Sequence, residues 1–327
     1  MPAQQQALVA SQIFLARRAI APFIRRTPLI RSDSLSERLG REVHLKLESL
    51  QETGSFKLRG ATNRLSWLTD EERARGVVLS STGNHARGCA YAGRRLGIRV
   101  VVCMSELVPR NKVDAVGAQG AEVRIVGRSQ DEADVEAKRL ARDEGLVFVS
   151  PFDDAGVICG QGTIGLELLE DMPDVDTVLV PLSGGGLIGG IALALKSANP
   201  AISVVGITME RGAAMIESLR AGRPVEVTEE ESLADSLGGG IGLDNRHTFA
   251  LARELVDELV LVSEEEIAGG MAHVYWREQL VVEGGAAVGI AALLHDKVSR
   301  LGGRIAVILS GRNIDMQRFA AIVERRA

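Results

Sequence analysis

Cysteine is scarce: Cys89, Cys103 and Cys159 are the only three in 327 residues, and their separations of 14 and 56 positions match neither a disulfide framework nor a zinc spacing. They read as buried apolar fillers in a reducing cytoplasm. No run of about 18 consecutive apolar residues occurs, which excludes a membrane-spanning helix. Residues 1–11 lack an apolar run after a basic start, so no secretory leader is expected. Positive charge is not in excess either. The 38 basic and 43 acidic side chains are mixed along the chain, so no basic stripe points to nucleic acid and no polybasic segment to a membrane surface. Internal repeats and low-complexity tracts are absent. What remains is 46% hydrophobic and 25% charged, the composition of a globular protein, and it is long enough for two lobes because single cores stop growing near about 250–300 residues. A small-molecule enzyme or binding protein is the expectation.

Apolar periodicity predicts a helix over 11–24, stopped by Thr27-Pro28. Val43, Leu45 and Leu47 alternate with His44, Lys46 and Glu48, the pattern of a half-buried strand, with His44 structural on its polar face. Strands over 77–81, 98–104 and 121–126 then alternate with helices over 86–96, 109–117 and 130–144. A helix opens at Gly160-Gln161-Gly162-Thr163, and a second series follows: strand 177–182, helix 187–197, strand 203–208 and helix 213–219. Residues 222–246, rich in glycine and acid, are the least regular. Helices over 248–256, 263–278 and 286–298 precede a last strand at 305–310 and a helix from Asp315. Alternation at these lengths argues for parallel strands with crossover helices on both faces.

Four short stretches carry chemistry. In Ser55-Phe56-Lys57-Leu58-Arg59-Gly60 a lysine sits between large apolar residues, and two readings are open for it. It is either an exposed helix-start lysine with a packed stem, or an amine held out of water. Burial disfavours the ammonium form and frees a nucleophile able to condense with an aldehyde, of which pyridoxal phosphate is the commonest. Pro181-Leu182-Ser183-Gly184-Gly185-Gly186-Leu187 runs from strand to helix through three glycines. Their N–H groups can converge on an anion at the helix start, a phosphate cup distinct from the G-x-G-x-x-G dinucleotide pattern. Ser81-Thr82-Gly83-Asn84-His85-Ala86 opens a helix at a strand's carboxyl end, where it can cradle a carboxylate or simply cap the helix. Ser310-Gly311-Arg312-Asn313 repeats that strand-then-turn geometry.

With Pro151-Phe152-Asp153-Asp154 and Ala234-Asp235, these stretches occur in the order of the serine/threonine dehydratase family, which the chain resembles over nearly its whole length. The resemblance implies fold type II, the tryptophan-synthase-β-like α/β fold: two open twisted, mostly parallel sheets with helices on both faces. It also implies a large cofactor domain over 1–67 and 153–327 and a small mobile one over 68–152. It further implies that Lys57 holds pyridoxal 5'-phosphate covalently and then acts as the base at the α-carbon. Phe56 would flank the ring and Asn84 would bond its 3-hydroxyl. Ser183, Gly184, Gly185, Gly186 and Leu187 would take the phosphate, Ser310 the ring nitrogen, and Glu283 would also border the cofactor. Ser81, Thr82, Gly83, Asn84 and His85 would bind the substrate carboxylate. Thr82 lies where related racemases carry a serine acting on the opposite face, and His85 reads as a positioning residue. Where those racemases hold a divalent cation with an acid, this chain has Thr208, so no metal ligand is assigned.

Four departures from the family pattern bear on the substrate: Arg87 for a usual glutamine, Ser236 for glycine, Glu283-Gly284-Gly285 for Glu-Pro, and Arg312 for the second glycine of Ser-Gly-Gly-Asn. Together they resemble the subgroup tied to hydroxyectoine breakdown, and an added cation also suits an acidic substrate such as 3-hydroxyaspartate. The implied activity is elimination of the β-hydroxyl of a hydroxy amino acid, threonine- or serine-like or one of these, to an oxo acid and ammonia in a cytoplasmic homodimer. Racemisation of serine or aspartate is the alternative. Sulfhydrylase transferases of the same fold fit less well, since their corresponding segment resembles Gly-Asn-Thr-Gly rather than Gly-Asn-His-Ala, and a non-catalytic module for a phosphate ligand is the fourth reading.

Overall fold

The computed structural model describes residues 8–325, so residues 1–7, on which most of the leader reading rests, lie outside the described residues. Among them, strands β1 (Leu29–Arg31), β2 (Glu42–Lys46), β3 (Val77–Ser80), β4 (Val100–Met104), β5 (Glu122–Ile125), β6 (Val147–Phe148), β7 (Thr177–Pro181), β8 (Ser203–Met209), β9 (Glu258–Val262) and β10 (Arg304–Ile308) form two sheets. The larger has the order β1-β2-β10-β7-β8-β9 and is parallel except for β1 against β2. The smaller, β5-β4-β3-β6, is parallel throughout.

Helices cover both faces of each sheet, and the side chains divide accordingly. From β7, Leu179 enters the core beneath the Glu264–Glu278 and Gly284–Leu294 helices, while Val178 and Val180 pack against the Ala155–Asp171 and Gly186–Ala198 helices. From β3, Val77 and Leu79 face the Lys57–Ser66 and Asn84–Leu96 helices, and Val78 faces the Gln130–Asp143 helix. Coverage on both sides explains why β4 and β7 are buried at every residue. Among the described residues no helix is long and apolar enough to cross a membrane.

Three expectations change. Gly160-Gln161-Gly162-Thr163 does not open a helix. The helix begins at Ala155, where the Asp154 carboxylate accepts the Val157 N–H, and the glycines lie mid-helix because other backbones cross there. A Cβ on Gly160 would come within 2.6 Å of the Arg59 carbonyl oxygen, and one on Gly162 within 2.9 Å of that of Gly190. Strands β1 and β9, together with the Asp33–Leu39 and Asp70–Arg75 helices, were not foreseen. Finally, two of the three polar residues of the 43–48 alternation are buried rather than solvated: Lys46 and Glu48 are both fully inaccessible.

Both belong to a buried ionic cluster centred on Arg59. Its Nε and Nη2 each donate to Glu48 at 2.8 Å, and its Nη1 donates to Glu167 at 2.7 Å. Lys46 Nζ donates to Glu167 at 2.6 Å and to the Thr27 carbonyl at 2.8 Å. Two cations meet two anions, so none of these charges is buried alone. Burial works to raise the Glu167 carboxyl, yet the Arg59 and Lys46 charges hold it below its ordinary range. The cluster fixes the Lys57–Ser66 helix to its neighbours two residues beyond Lys57.

Candidate active site

The carboxyl ends of strands from both sheets converge on one cavity of about 430 Å³. The segments after β3, β6, β7 and β10 line it, the place where open parallel sheets bind ligands. Every site residue proposed from the sequence lies on its wall: Phe56, Lys57, Ser81, Thr82, Gly83, Asn84, His85, Ser183, Gly184, Gly185, Gly186, Leu187, Glu283 and Ser310.

Lys57 is half-buried, and its Nζ donates to the Pro151 carbonyl at 2.7 Å, 5.3 Å from the centre of the Phe56 ring. Burial pulls its pKa down to about 8, against a smaller upward pull from Cys89 and Glu283. The amine therefore loses its proton two pH units or so below an ordinary lysine.

The 183–186 turn follows β7 and opens the Gly186–Ala198 helix. Gly185 has φ +87°, which glycine adopts without strain. No described residue accepts from the N–H of Ser183, Gly184 or Gly185, and those of Gly186 and Leu187 are in the first helical turn, without an intrahelical partner. The turn is braced from behind by Phe152. A Cβ on Gly184 would stand 2.3 Å from its ring, and one on Gly186 2.8 Å from its carbonyl oxygen. Asp153 next to it accepts the N–H groups of Arg246, His247 and Thr248.

Across the cavity the Asn84–Leu96 helix starts without a side-chain cap, leaving first-turn N–H groups directed at the opening. Asn84 Nδ2 donates to Glu283 Oε1 at 2.7 Å and its Oδ1 accepts from Asn313 Nδ2 at 2.6 Å, which leaves one amide N–H over. Glu283 is buried, and burial first, then the Asp235 charge, pushes its carboxyl up to about 7, although Asn84 and the Asn313 N–H bond it. His85 is turned inward, 3.2 Å from the Val149 carbonyl oxygen, and burial lowers its pKa to about 3. Burial thus favours the neutral imidazole. Ser310 is buried at the end of the β10 loop, and its carbonyl accepts the Phe56 N–H at 3.0 Å.

The two unusual arginines part company. Arg312 is exposed and does not line the cavity. Arg87 is half-buried on the wall. Lys112, Gln130 and Glu229 also line the cavity and were not singled out, because nothing local distinguishes them from surface residues.

Residues 20–311 match the family described as pyridoxal-phosphate dependent enzyme. The chain belongs to that family. A putative threonine dehydratase of Sinorhizobium fredii is 55% identical over 92% of this chain and 91% of its own length. The L-threonine ammonia-lyase of Thermotoga maritima is 44% identical over 95% of this chain and 77% of its own. The solved structure of maize serine racemase superposes with a TM-score of 0.91 at 33% identity, covering 98% of each chain. The fold is type II and the cofactor is pyridoxal 5'-phosphate, as the resemblance implied.

The residues present fit that cofactor. An aldehyde needs an amine free of its proton, which Lys57 offers, and a phosphate dianion needs converging donors, which the unpaired N–H groups of 183–185 offer. Among the described residues, no group of three His, Cys, Asp or Glu side chains could hold a metal ion.

Proposed function

We propose that the chain removes the β-hydroxyl of a hydroxy amino acid and releases an oxo acid and ammonia. The reading is carried by one observation: the low-pKa amine of Lys57, the glycine turn at 183–186 and the uncapped helix start at Asn84 share a single cavity. Lys57, Phe56, Asn84, Glu283 and Ser310 would hold the cofactor with the N–H groups of Ser183, Gly184, Gly185, Gly186 and Leu187 on its phosphate. Bound pyridoxal phosphate supplies an electron sink for the charge left at the α-carbon. Lys57, low in pKa, takes the α-proton and keeps it within the cavity. Ser81, Thr82, Gly83, Asn84 and His85 hold the substrate carboxylate by backbone and hydroxyl donors, His85 as an uncharged ring. Glu283, bonded to Asn84 and to the Asn313 N–H, keeps the Asn84 amide turned as a donor. The water lost in elimination is taken up again when the released enamine, as its imine, hydrolyses to oxo acid and ammonia.

The substrate is threonine- or serine-like, 3-hydroxyaspartate or a hydroxyectoine-derived compound. In this proposal the enzyme is a cytoplasmic homodimer, with a large domain over 1–67 and 153–327 and a small domain over 68–152 that closes on the substrate. Scoring a panel of these amino acids for ammonia tests it; no ammonia from any β-hydroxy amino acid overturns it. Racemisation is the second reading, favoured by the Thr82 hydroxyl-bearing side chain on the cavity wall, at the position where related racemases carry a serine. Incubation with L-serine separates the two, since D-serine formed without oxo acid belongs to the racemase alone.

A further inference from the structure

Among the described residues, Arg87 lacks the carboxylate partners of the two arginines on the adjacent Lys57–Ser66 helix. Arg59 and Arg64 each have carboxylates within 2.8 Å. Arg87 is half-buried on the cavity wall, yet no described carboxylate lies within 4 Å of it. Its one hydrogen bond, Nη1 to Asn313 Oδ1 at 3.0 Å, is to a neutral amide. Burial lowers its pKa, and the only acid that offsets this is Glu283, whose two oxygens already accept from Asn84 and the Asn313 N–H. A guanidinium carries five donors and remains charged, so withdrawing one from water with a single neutral acceptor leaves both charge and donors unsatisfied. Such an arrangement is kept where a ligand completes it. Asn313 fixes one edge of the guanidinium and leaves the rest for a planar anion.

Arg87 also lies one turn along from Asn84 on the helix whose uncapped start is assigned to the α-carboxylate. The cavity thus offers a second anion subsite on the same face as the first. We infer that Arg87 binds a second carboxylate, on the side chain of the substrate, and that this enzyme selects β-hydroxy amino acids that are dicarboxylates. The inference rests on the elimination reading for the hydroxyl but not for the carboxylates. A charged hydrogen-bonded pair in a partly desolvated site changes binding by about tenfold to 100-fold.

The test is calorimetric titration of the cofactor-loaded enzyme with succinate and with propionate, which differ by the second carboxylate. Wild type is expected to bind succinate about tenfold to 100-fold more tightly. Arg87→Gln is expected to abolish most of that difference, and Arg87→Lys, which keeps the charge but not the fork, to retain part of it. Equal binding of the two acids by wild type overturns the inference, as does an equal weakening of both by Arg87→Gln, which would place Arg87 on the shared carboxylate only. In turnover, the ratio of kcat/KM for 3-hydroxyaspartate over threonine should exceed one and fall about tenfold or more in Arg87→Gln. A wild-type ratio below one contradicts the selection claimed. If no β-hydroxy amino acid releases ammonia while the succinate preference persists, the elimination reading fails and the subsite stands.

Discussion

Replacing Arg59 by methionine keeps much of the side-chain volume and removes the centre of the buried ionic cluster. In the wild type, Glu48 accepts from Arg59 twice at 2.8 Å, and Glu167 accepts from it at 2.7 and 2.9 Å. After substitution Lys46, 2.6 Å away, still serves Glu167, but Glu48 keeps only the Thr27 hydroxyl, in a place without solvent access. Removing one partner of a buried pair costs about 3–5 kcal/mol, because the other charge is left uncompensated. A chain of 327 residues unfolds with an entropy of roughly 0.7 kcal/mol/K, so this corresponds to a fall in Tm of about 4–7 °C. Thermal unfolding of the cofactor-free protein, followed by circular dichroism, measures it without contributions from ligand binding. The double variant Arg59→Met, Glu48→Gln should recover part of the loss, since neutralising the stranded carboxylate removes the main cost. A fall below about 1 °C for the single variant, or a larger fall for the double, would refute the reasoning.

Three further outcomes are expected. In the cofactor-free protein the Lys57 amine should react with an amine-directed reagent with a midpoint near pH 8, measured by difference from Lys57→Ala, whereas a midpoint near about 10.4 would mean an ordinary solvated lysine. Gly184→Ala puts a methyl group where the Phe152 ring stands, 2.3 Å away, so the turn must shift and cofactor affinity should fall about tenfold or more by titration; unchanged affinity would remove the turn from the phosphate site. Glu283 has its folded pKa raised to about 7, so the wild type loses stability as pH rises from about 4.5 through 7. Glu283→Gln escapes that loss, and its stability relative to wild type should increase between pH 5 and pH 8 by up to about 3 kcal/mol, while a pH-independent difference contradicts the assignment.

Much of the fold and site was legible because its signals are local. Strands such as Val100–Met104 and Thr177–Pro181 are near-continuous apolar runs, the mark of a sheet covered on both faces. Lys57, 183–186, 81–85 and Ser310 follow strand ends, and parallel topology brings strand ends together. What escaped depends on contacts across the chain. The glycines of 160–163 read locally as a helix start, whereas they serve close crossing by the backbones of Arg59 and Gly190. Lys46 and Glu48 alternate like a solvated face, but their partners Arg59 and Glu167 come from other elements and turn that face into a buried one. Strand β9 carries the short apolar run 259–262 wedged between two helical stretches, where periodicity alone does not separate strand from helix, and three-residue β1 is too short to register. Arg87 and Arg312 look alike in sequence, and only their placement in the folded chain decides that the first lines the cavity.

The most direct measurement is borohydride reduction of the cofactor-loaded enzyme followed by peptide mapping. A single reduced pyridoxyl group on Lys57, lost in Lys57→Ala together with ammonia release, is the outcome expected. Modification of Lys112 or another lysine with Lys57 left free would show that the amine beside Phe56 and Pro151 is not where the cofactor is held.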